Sequence, residues 1–448
     1  RRGARRPDRG ARQRSGHAPR PRAAAGGGGP SRAGHRVALA RAESRRSDRH
    51  RQPAARGARP VSRLPRRAGR RSRLERGDVR GGEARDRLVA MGGRAVVRPG
   101  RQGVGVGGDV RGAGTIEIQK PTTSTFEEFV VQDTREGWVD LLRMLLRAYE
   151  GKGSLPGKID YSQVRPYGTP IKGFGGTASG PEPLMEMYDD IKKILDARVG
   201  KEITSTDIVD IFNLIGRCVV AGNVRRTAEI MFGDPNDEEF MNLKNPETSG
   251  DALMHHRWAS NNSIFASVGM DYSKVAELTA KNGEPGYEWL ENAQAYSRIN
   301  GEKDYKDYRA LGGNPCLEQT LEPWELCCLV ETYPSKHETL EDWNTTLYYA
   351  YLYAKAVTLL PTHCPQTNEV MARNRRIGCS MSGIVQAFKK FGRRQVLLWV
   401  NAGYDNLTVY DKEFSERFAI PRSIKMTSVK PSGTVSLLPG VTPGIHYP

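Results

Sequence analysis

The feature that most constrains the fold begins at FVVQ (129–132), an apolar run of strand length that leads into DTREGWVDLLRMLLRAYEG. In the second stretch Trp138, Leu141, Leu142, Leu145 and Tyr149 recur at helical spacing and share one face. A glycine-rich loop, GFGGTASGPEP (173–183), then precedes a helix with Leu184, Met187, Ile191 and Leu195 inward. Another helix starts at Thr204 or Ser205, a hydroxyl N-cap, with Ile208, Ile211, Phe212 and Ile215 inward. WNTTLYYAYLYAKAVTLL (343–360) reads as a further, largely buried helix, and SIFASV (263–268) and VSLL (435–438) read as strands. Strands alternating with helices point to an α/β architecture with parallel strands. No internal repeat is visible.

The pattern holds only from about Thr115. Residues 1–114 carry 32 Arg, no Lys and 8 acidic residues, a net of +24, against a net of −6 for the rest of the chain. The overall charge of +18 therefore belongs to one tail and says nothing about the remainder. The tail also has no Asn, Ile, Phe, Tyr, Trp or Cys, so it cannot bury enough apolar surface to offset its ordering entropy, and disorder is expected over 1–114. Residues with AT-rich codons are missing and those with GC-rich codons abound, as in translation of GC-rich DNA out of frame. That reading ranks first, an Arg-rich targeting segment second. An RNA-binding arm ranks third, because no aromatic residues are interleaved for base stacking. GVGVGG (103–108) is formally a GxGxxG, but no strand precedes it and no helix follows, so a dinucleotide site is not expected.

No run of about 18 apolar residues suggests a membrane span. The cysteines, Cys218, Cys316, Cys327, Cys328, Cys364 and Cys379, form no CxxC and no zinc spacing. A reducing, cytoplasmic setting is the expectation, with no metal site.

Several stretches could carry chemistry. GFGGTASGPEP joins glycines and hydroxyls to a helix start, which suits an anion, though a plain turn fits equally. KPSGTVSLLPGVTPG (430–444) has a similar character, with Thr434 and Ser436 as candidate phosphate ligands, against simple turn chemistry. The Arg pairs of GNVRRTAEI (222–230) and NRRIGCSMSG (374–383) could clamp phosphates, but ion-pair partners are the more frequent use. HHRWASNNS (255–263) reads either as a pocket wall or as a satisfied buried network.

NPCLEQTLEPWELCCL (314–329) is more pointed. Pro315 stiffens the backbone before Cys316. On an extended loop, residues two apart face the same way, which puts Asn314, Cys316 and Glu318 on one side. No His lies nearby to activate a nucleophilic cysteine. A thiol beside a carboxylate and an amide suits hydrogen-atom chemistry, in which a thiyl radical takes hydrogen from carbon while the carboxylate takes a hydroxyl proton.

Asn314-Pro315-Cys316-x-Glu318 with Cys327 resembles the finger loop of ribonucleotide reductases. With GGTASGPEP, LIGRCVVAGNVRRTAEI, HHRWASNNS, NGEPG (282–286), NRRIGCSMSGI and VKPSGTVSLLPGVTPGIHYP, the chain from about residue 126 onward resembles the adenosylcobalamin-dependent (class II) ribonucleoside-triphosphate reductases. The resemblance implies a ten-stranded α/β barrel, incomplete at both ends here, occupying residues 115–448 with a central finger loop. It implies that adenosylcobalamin supplies the radical and that Cys316 carries the thiyl. Glu318 would take the 3′-OH proton and Asn314 would hold the ribose hydroxyls. Cys327 would be one member of the reducing pair. Gly176, Thr177, Ala178, Ser179 and Gly180, together with Pro431, Ser432, Gly433 and Thr434, would cradle the substrate phosphates; no cofactor-binding residues are assigned. The implied partners are a ribonucleoside triphosphate, a thioredoxin-like dithiol and a deoxynucleotide effector.

Three departures stand against the family pattern. The partner of the Cys327-type thiol comes from an early strand, where this chain has its cysteine-free tail. The chain stops at Tyr447-Pro448, where relatives continue to a C-terminal pair of shuttle cysteines. Leu317 stands where glycine is often found. Little multiple-turnover activity is expected. Cys328 is expected to pack beside Cys327, and Cys364 and Cys379 to be core residues. The rival readings are a reductase with a metal-based radical generator and a non-catalytic Arg-rich RNA-binding protein.

Overall fold

The computed structural model describes residues 105–171, 176–221, 228–298 and 301–447. It opens with β1 (Val106–Asp109), followed by β2 (Thr122–Val130), helix α1 (Arg135–Tyr149) and β3 (Ser154–Asp160). Helices α2 (Glu182–Arg198) and α3 (Ser205–Val220) lead to β4 (Glu229–Gly233) and β5 (Ser260–Phe265). Then come α4 (Ser273–Asn282) and β6 (Gly286–Glu288). Strands β1, β4, β5 and β6 form one sheet in that order, parallel throughout. The central strand β4 is buried along its whole length, as a strand covered on both faces must be. β2 and β3 form a separate parallel pair.

The helix starts follow from local chemistry. Thr134 accepts from the Gly137 amide at the head of α1. At α3 the Thr204 side chain and Asp207 satisfy each other's backbone amides in a capping box. The apolar positions read from helical spacing in α1, α2 and α3 are all buried, and together with the sheet they make one core.

A second core follows. β7 (Gly312–Gly313) and β8 (Thr320–Leu321) form an antiparallel hairpin, and β9 (Leu329–Thr332) leads to helices α5 (Leu340–Val357) and α6 (Pro365–Asn374). β10 (Gly378–Met381) pairs in parallel with β9 and is followed by α7 (Ile384–Phe391), α8 (Arg393–Phe418) and the short α9 (Thr434–Leu437). Trp343, Leu347 and Tyr351 of α5 pack on Trp399, Leu407 and Phe414 of α8. Between the two helices Lys355 pairs with Asp411 at 2.7 Å, both side chains fully buried. Asp411 also accepts from the Tyr351 hydroxyl.

Several sequence expectations change. VSLL is helical, because α9 runs over Thr434–Leu437, and Ser436 spends its hydroxyl on the Gly433 carbonyl at 2.7 Å. Residues 343–360 are buried on one face only; Tyr349 and Tyr353 face solvent. The strand at FVVQ starts earlier, at Thr122, and that at SIFASV is displaced to Ser260–Phe265. The parallel strands stand as separate sheets, and no closed ten-stranded barrel is present among the described residues. Order begins before Thr115: β1 lies within the stretch assigned to the tail, and Val110 is buried. Residues 1–104 of that tail, and Arg225 and Arg226, lie outside the described residues.

Candidate active site

The NPCLE segment is a tight turn rather than an extended loop. The Asn314 amide donates to the Gln319 carbonyl and the Leu317 amide to the Asn314 carbonyl, which closes the tip of the β7–β8 hairpin. Leu317 takes a φ of +55°, a left-handed conformation that glycine adopts at no steric cost and other residues adopt at about 1–2 kcal/mol. The chain therefore supplies a physical reason for glycine at this position. The turn also overturns the idea that Asn314, Cys316 and Glu318 share one environment. Asn314 is buried, Cys316 is exposed at the tip, and the Glu318 side chain is only 2% exposed.

The hairpin rests on β1. A Cβ on Gly107 would fall 2.3 Å from the Gly313 carbonyl oxygen, and one on Gly105 would fall 2.7 Å from the Pro315 ring. Gly105 and Gly107, from the stretch not expected to bind a dinucleotide, thus provide a side-chain-free floor for the hairpin. From β5, the Asn261 side-chain amide donates to the Pro315 carbonyl at 2.8 Å, so one residue of HHRWASNNS reaches the hairpin. The rest of that segment is largely a satisfied network: Arg257 makes a two-pronged bond to Asp210, and Ser260 bonds Asn262.

A buried charge cluster holds the hairpin's base. Arg376, with no exposed surface, bonds both oxygens of Asp307 at 2.5 and 2.8 Å and pairs with Glu325 at 3.0 Å. Lys425 reaches Asp307 at 3.0 Å and donates to the Thr320 hydroxyl of β8, which itself donates to Asp307. Burial alone would raise the Asp307 carboxyl, but Arg376 and Lys425 outweigh it and hold the group below the usual carboxylate range. The Arg375-Arg376 pair is therefore structural: Arg375 donates to the Thr358 carbonyl.

Around the tip the structure gathers more than the motif suggested. Lys430 pairs with Glu318 Oε1 at 2.6 Å, while Glu318 Oε2 is buried without a hydrogen-bond partner. Asn314 accepts from the Gln319 amide through Oδ1 and turns Nδ2 toward Cys327 Sγ at 3.9 Å. Burial first, and then the Glu318 carboxylate, push the Cys327 thiol up to about 12, with Lys430 pulling the other way. Cys327 is therefore a protonated thiol at neutral pH, suited to giving a hydrogen atom rather than to nucleophilic attack. Cys328 is buried and pushed up to about 11, chiefly by burial, and Cys379 is buried in β10. Cys218 is buried in α3. Cys364 is a correction: it is half-exposed at the head of α6 and its thiol donates to Gln366.

The two candidate phosphate segments differ. Ser432 shares a 2.6 Å hydrogen bond with Ser382, whose hydroxyl also meets Glu331 at 2.6 Å. Pro431, Gly433 and Thr434 are exposed beside it, with Gly433 at φ +50°. Gly176, Thr177, Ala178, Ser179 and Gly180 form a turn closed on residues 168–171. There the Ala178 amide donates to Thr169 and the Gly168 amide to Ala178. Helix α2 starts just beyond it, with Pro181 at the N-cap position and no side-chain cap. Among the described residues, none of the turn's hydrogen bonds reaches the hairpin. Lys430, Glu331 and Ser382 escaped the sequence reading; Lys430 stood directly before PSGT, the one local signal that could have found it. Among the described residues no group of three or more His, Cys, Asp or Glu could hold a metal ion, and no helix is long and apolar enough to cross a membrane.

Residues 112–195 match the family model described as the insertion domain of B12-dependent ribonucleotide reductase, so likeness begins ahead of residue 126. The adenosylcobalamin-dependent ribonucleoside-triphosphate reductase of Euglena gracilis is 55% identical over 347 residues, 77% of this chain and 47% of that protein. The probable enzyme of the same name from Dictyostelium discoideum is 53% identical over 363 residues, 77% of this chain and 48% of that protein. A crystal structure of a B12-dependent (class II) ribonucleotide reductase superposes with a TM-score of 0.69 at 31% identity, covering 80% of this chain and 57% of that one. The chain spans about half the length of the curated relatives it matches. In sequence and in α/β fold the chain is thus similar, over about half of their length, to the adenosylcobalamin-dependent ribonucleoside-triphosphate reductases.

Proposed function

We propose that the hairpin site reduces ribonucleoside triphosphates to 2′-deoxyribonucleoside triphosphates through a thiyl radical on Cys316. One arrangement carries the reading: an exposed thiol at the tip, a half-buried protonated thiol and a buried carboxylate with one free oxygen. When bound, adenosylcobalamin supplies a radical able to take a hydrogen atom from a thiol. Cys316 fits that demand, because its exposure leaves it open to approach while Cys327 and Glu318 are shielded.

The Cys316 thiyl takes the ribose 3′-hydrogen. Glu318 takes the 3′-OH proton on Oε2, since Oε1 is held by Lys430. Asn314 offers Nδ2 to the ribose hydroxyls, its Oδ1 being fixed by Gln319. The 2′-OH leaves as water on taking a proton from Cys327, and Cys316 returns its hydrogen to C3′ and becomes a thiyl again. Cys327 gives one hydrogen equivalent, and over the cycle a thioredoxin-like dithiol is oxidised to its disulfide, supplying both electrons. Ser432 with Pro431, Gly433 and Thr434, and the turn Gly176–Gly180, hold the phosphates. Six cysteines outside any disulfide suit a cytoplasmic, reducing setting, and a deoxynucleotide effector belongs to the same proposal.

The test is incubation of the full chain with adenosylcobalamin, a nucleoside triphosphate and dithiothreitol. Deoxynucleotide by chromatography and a paired cob(II)alamin–thiyl signal by electron paramagnetic resonance are expected, and both should vanish in Cys316→Ala. Undiminished product from Cys316→Ala would overturn the assignment.

A further inference from the structure

Lys430 sits where three parts of the site meet. Its ammonium lies 2.6 Å from Glu318 Oε1 and leaves Oε2 buried and unpartnered. Its backbone amide donates to Ser380 Oγ of β10 at 2.9 Å. Two residues on, Ser432 joins Ser382, which bonds Glu331 of β9. The ammonium is also within electrostatic reach of Cys316 and Cys327. An ion pair serving stability alone has no reason to stand among both thiols and leave one carboxylate oxygen bare.

We propose that Lys430 is a positioning residue for the base: it holds Glu318 by Oε1, so that Oε2 alone faces the substrate hydroxyl, and it ties that carboxylate to the Ser432 turn. This rests on the reductase reading. Seating the phosphate end of the substrate and aiming the base then become one event. The proton moves from the 3′-OH to Glu318 Oε2, and Lys430 keeps its own protons throughout. The charged and titratable groups around the pair are Glu318, Cys316 and Cys327 from the hairpin segment and Glu331 from β9.

The test uses Lys430→Met and Lys430→Arg in the full chain, with two readouts. In the first, kcat for deoxynucleotide formation falls by about 10–100-fold in the Met variant, a part of the 10²–10⁴ that a positioned base supplies. KM should move less than about threefold and the Arg variant should recover most of the rate. The second needs no turnover: alkylation of Cys327 by iodoacetamide at pH 9, followed by fragment mass spectrometry. Removing the cation should slow Cys327 by about tenfold, one unit of thiol acidity, whereas Glu318→Gln should speed it. Unchanged Cys327 alkylation in Lys430→Met, or equal loss of kcat in the Met and Arg variants, would overturn the proposal. A wild-type chain that makes no deoxynucleotide while Cys327 still slows in the Met variant would count against the reductase reading and uphold the placement of Lys430.

Discussion

Two glycine- and hydroxyl-bearing segments look alike as sequence, GGTASG at 175–180 and KPSGT at 430–434, yet the fold treats them differently. The second is wired into the hairpin through Lys430–Glu318 and into β9 and β10 through Ser432, Ser382 and Glu331. The described residues of the first, 176–180, form a turn whose described backbone hydrogen bonds run back to residues 168–171. Glycine-rich composition reports a backbone that can approach a ligand closely. Which side chains wait at the other end of that approach is decided by long-range pairing, and here the pairing favours the later segment.

The hairpin's floor is the place to break the wiring with the largest effect. Gly107→Val puts side-chain carbon where the Gly313 carbonyl oxygen now lies, 2.3 Å from the ideal Cβ. The tip must lift, and misplacing reacting groups by about 1 Å costs about 10²-fold in rate. We expect deoxynucleotide formation to fall at least that far while the α5–α8 core stays folded, as checked by near-ultraviolet circular dichroism. Turnover within twofold of wild type would show that the hairpin does not depend on β1.

Beneath the hairpin the comparison sharpens in stability rather than rate. Arg376→Met leaves the buried Glu325 without its described cation and Asp307 with Lys425 alone, and breaking one side of such a cluster costs about 3–5 kcal/mol. Denaturant unfolding should show that loss. No residue of the Gly176–Gly180 turn holds a comparable buried charge among the described ion pairs, so Thr177→Ala and Ser179→Ala should each cost less than about 1 kcal/mol.

Much of the helical half was legible. In α1, α2 and α3 the period of apolar residues, and Thr204 with Asp207, are local signals, and local signals survive folding. The hairpin chemistry was legible as residue types but not as geometry: Asn314 and Gln319 close a turn that no period-two argument foresees. Lys430 lies 112 residues from Glu318, and nothing in the spacing of either announces the other. VSLL failed for a related reason, since four apolar-rich residues fit a strand or a helical turn equally and the Gly433 bend decides. The glycines of β1 were set aside because their composition matched the tail, whereas their function is to be small beneath another strand.

Glu288, at the end of β6, adds a pH dependence to the hairpin side. Burial raises its carboxyl to about 7, only partly offset by Lys425, the lysine that also holds Thr320. Between the ordinary value near 4.5 and 7 the folded chain keeps a proton that the unfolded chain releases. Stability from this group is therefore full below about 4.5, falls as pH rises and is gone above 7, a span of about 3 kcal/mol. The difference in unfolding free energy between wild type and Glu288→Gln, measured at pH 5 and pH 8, should change by that order. An equal difference at both pH values would mean that Glu288 is hydrated.

The smallest effect tests the opening comparison most directly. If the two segments share the triphosphate unequally, Ser432→Ala and Ser179→Ala should differ in KM rather than in kcat. Ser432 donates at 2.6 Å to Ser382, which donates to Glu331, so its loss removes the bond that fixes the phosphate turn against β9 and frees Ser382 and Glu331 to rearrange. Ser179 makes only a 3.5 Å contact with the neighbouring Gly180 carbonyl, and its hydroxyl has little to lose by moving. A neutral hydrogen bond of this kind is worth about 0.5–1.5 kcal/mol, which puts the rise in KM for Ser432→Ala at roughly three- to tenfold. For Ser179→Ala the rise should stay below about threefold. Equal rises would make the two turns equal partners in holding phosphate, and the wiring of the second would then serve the hairpin alone.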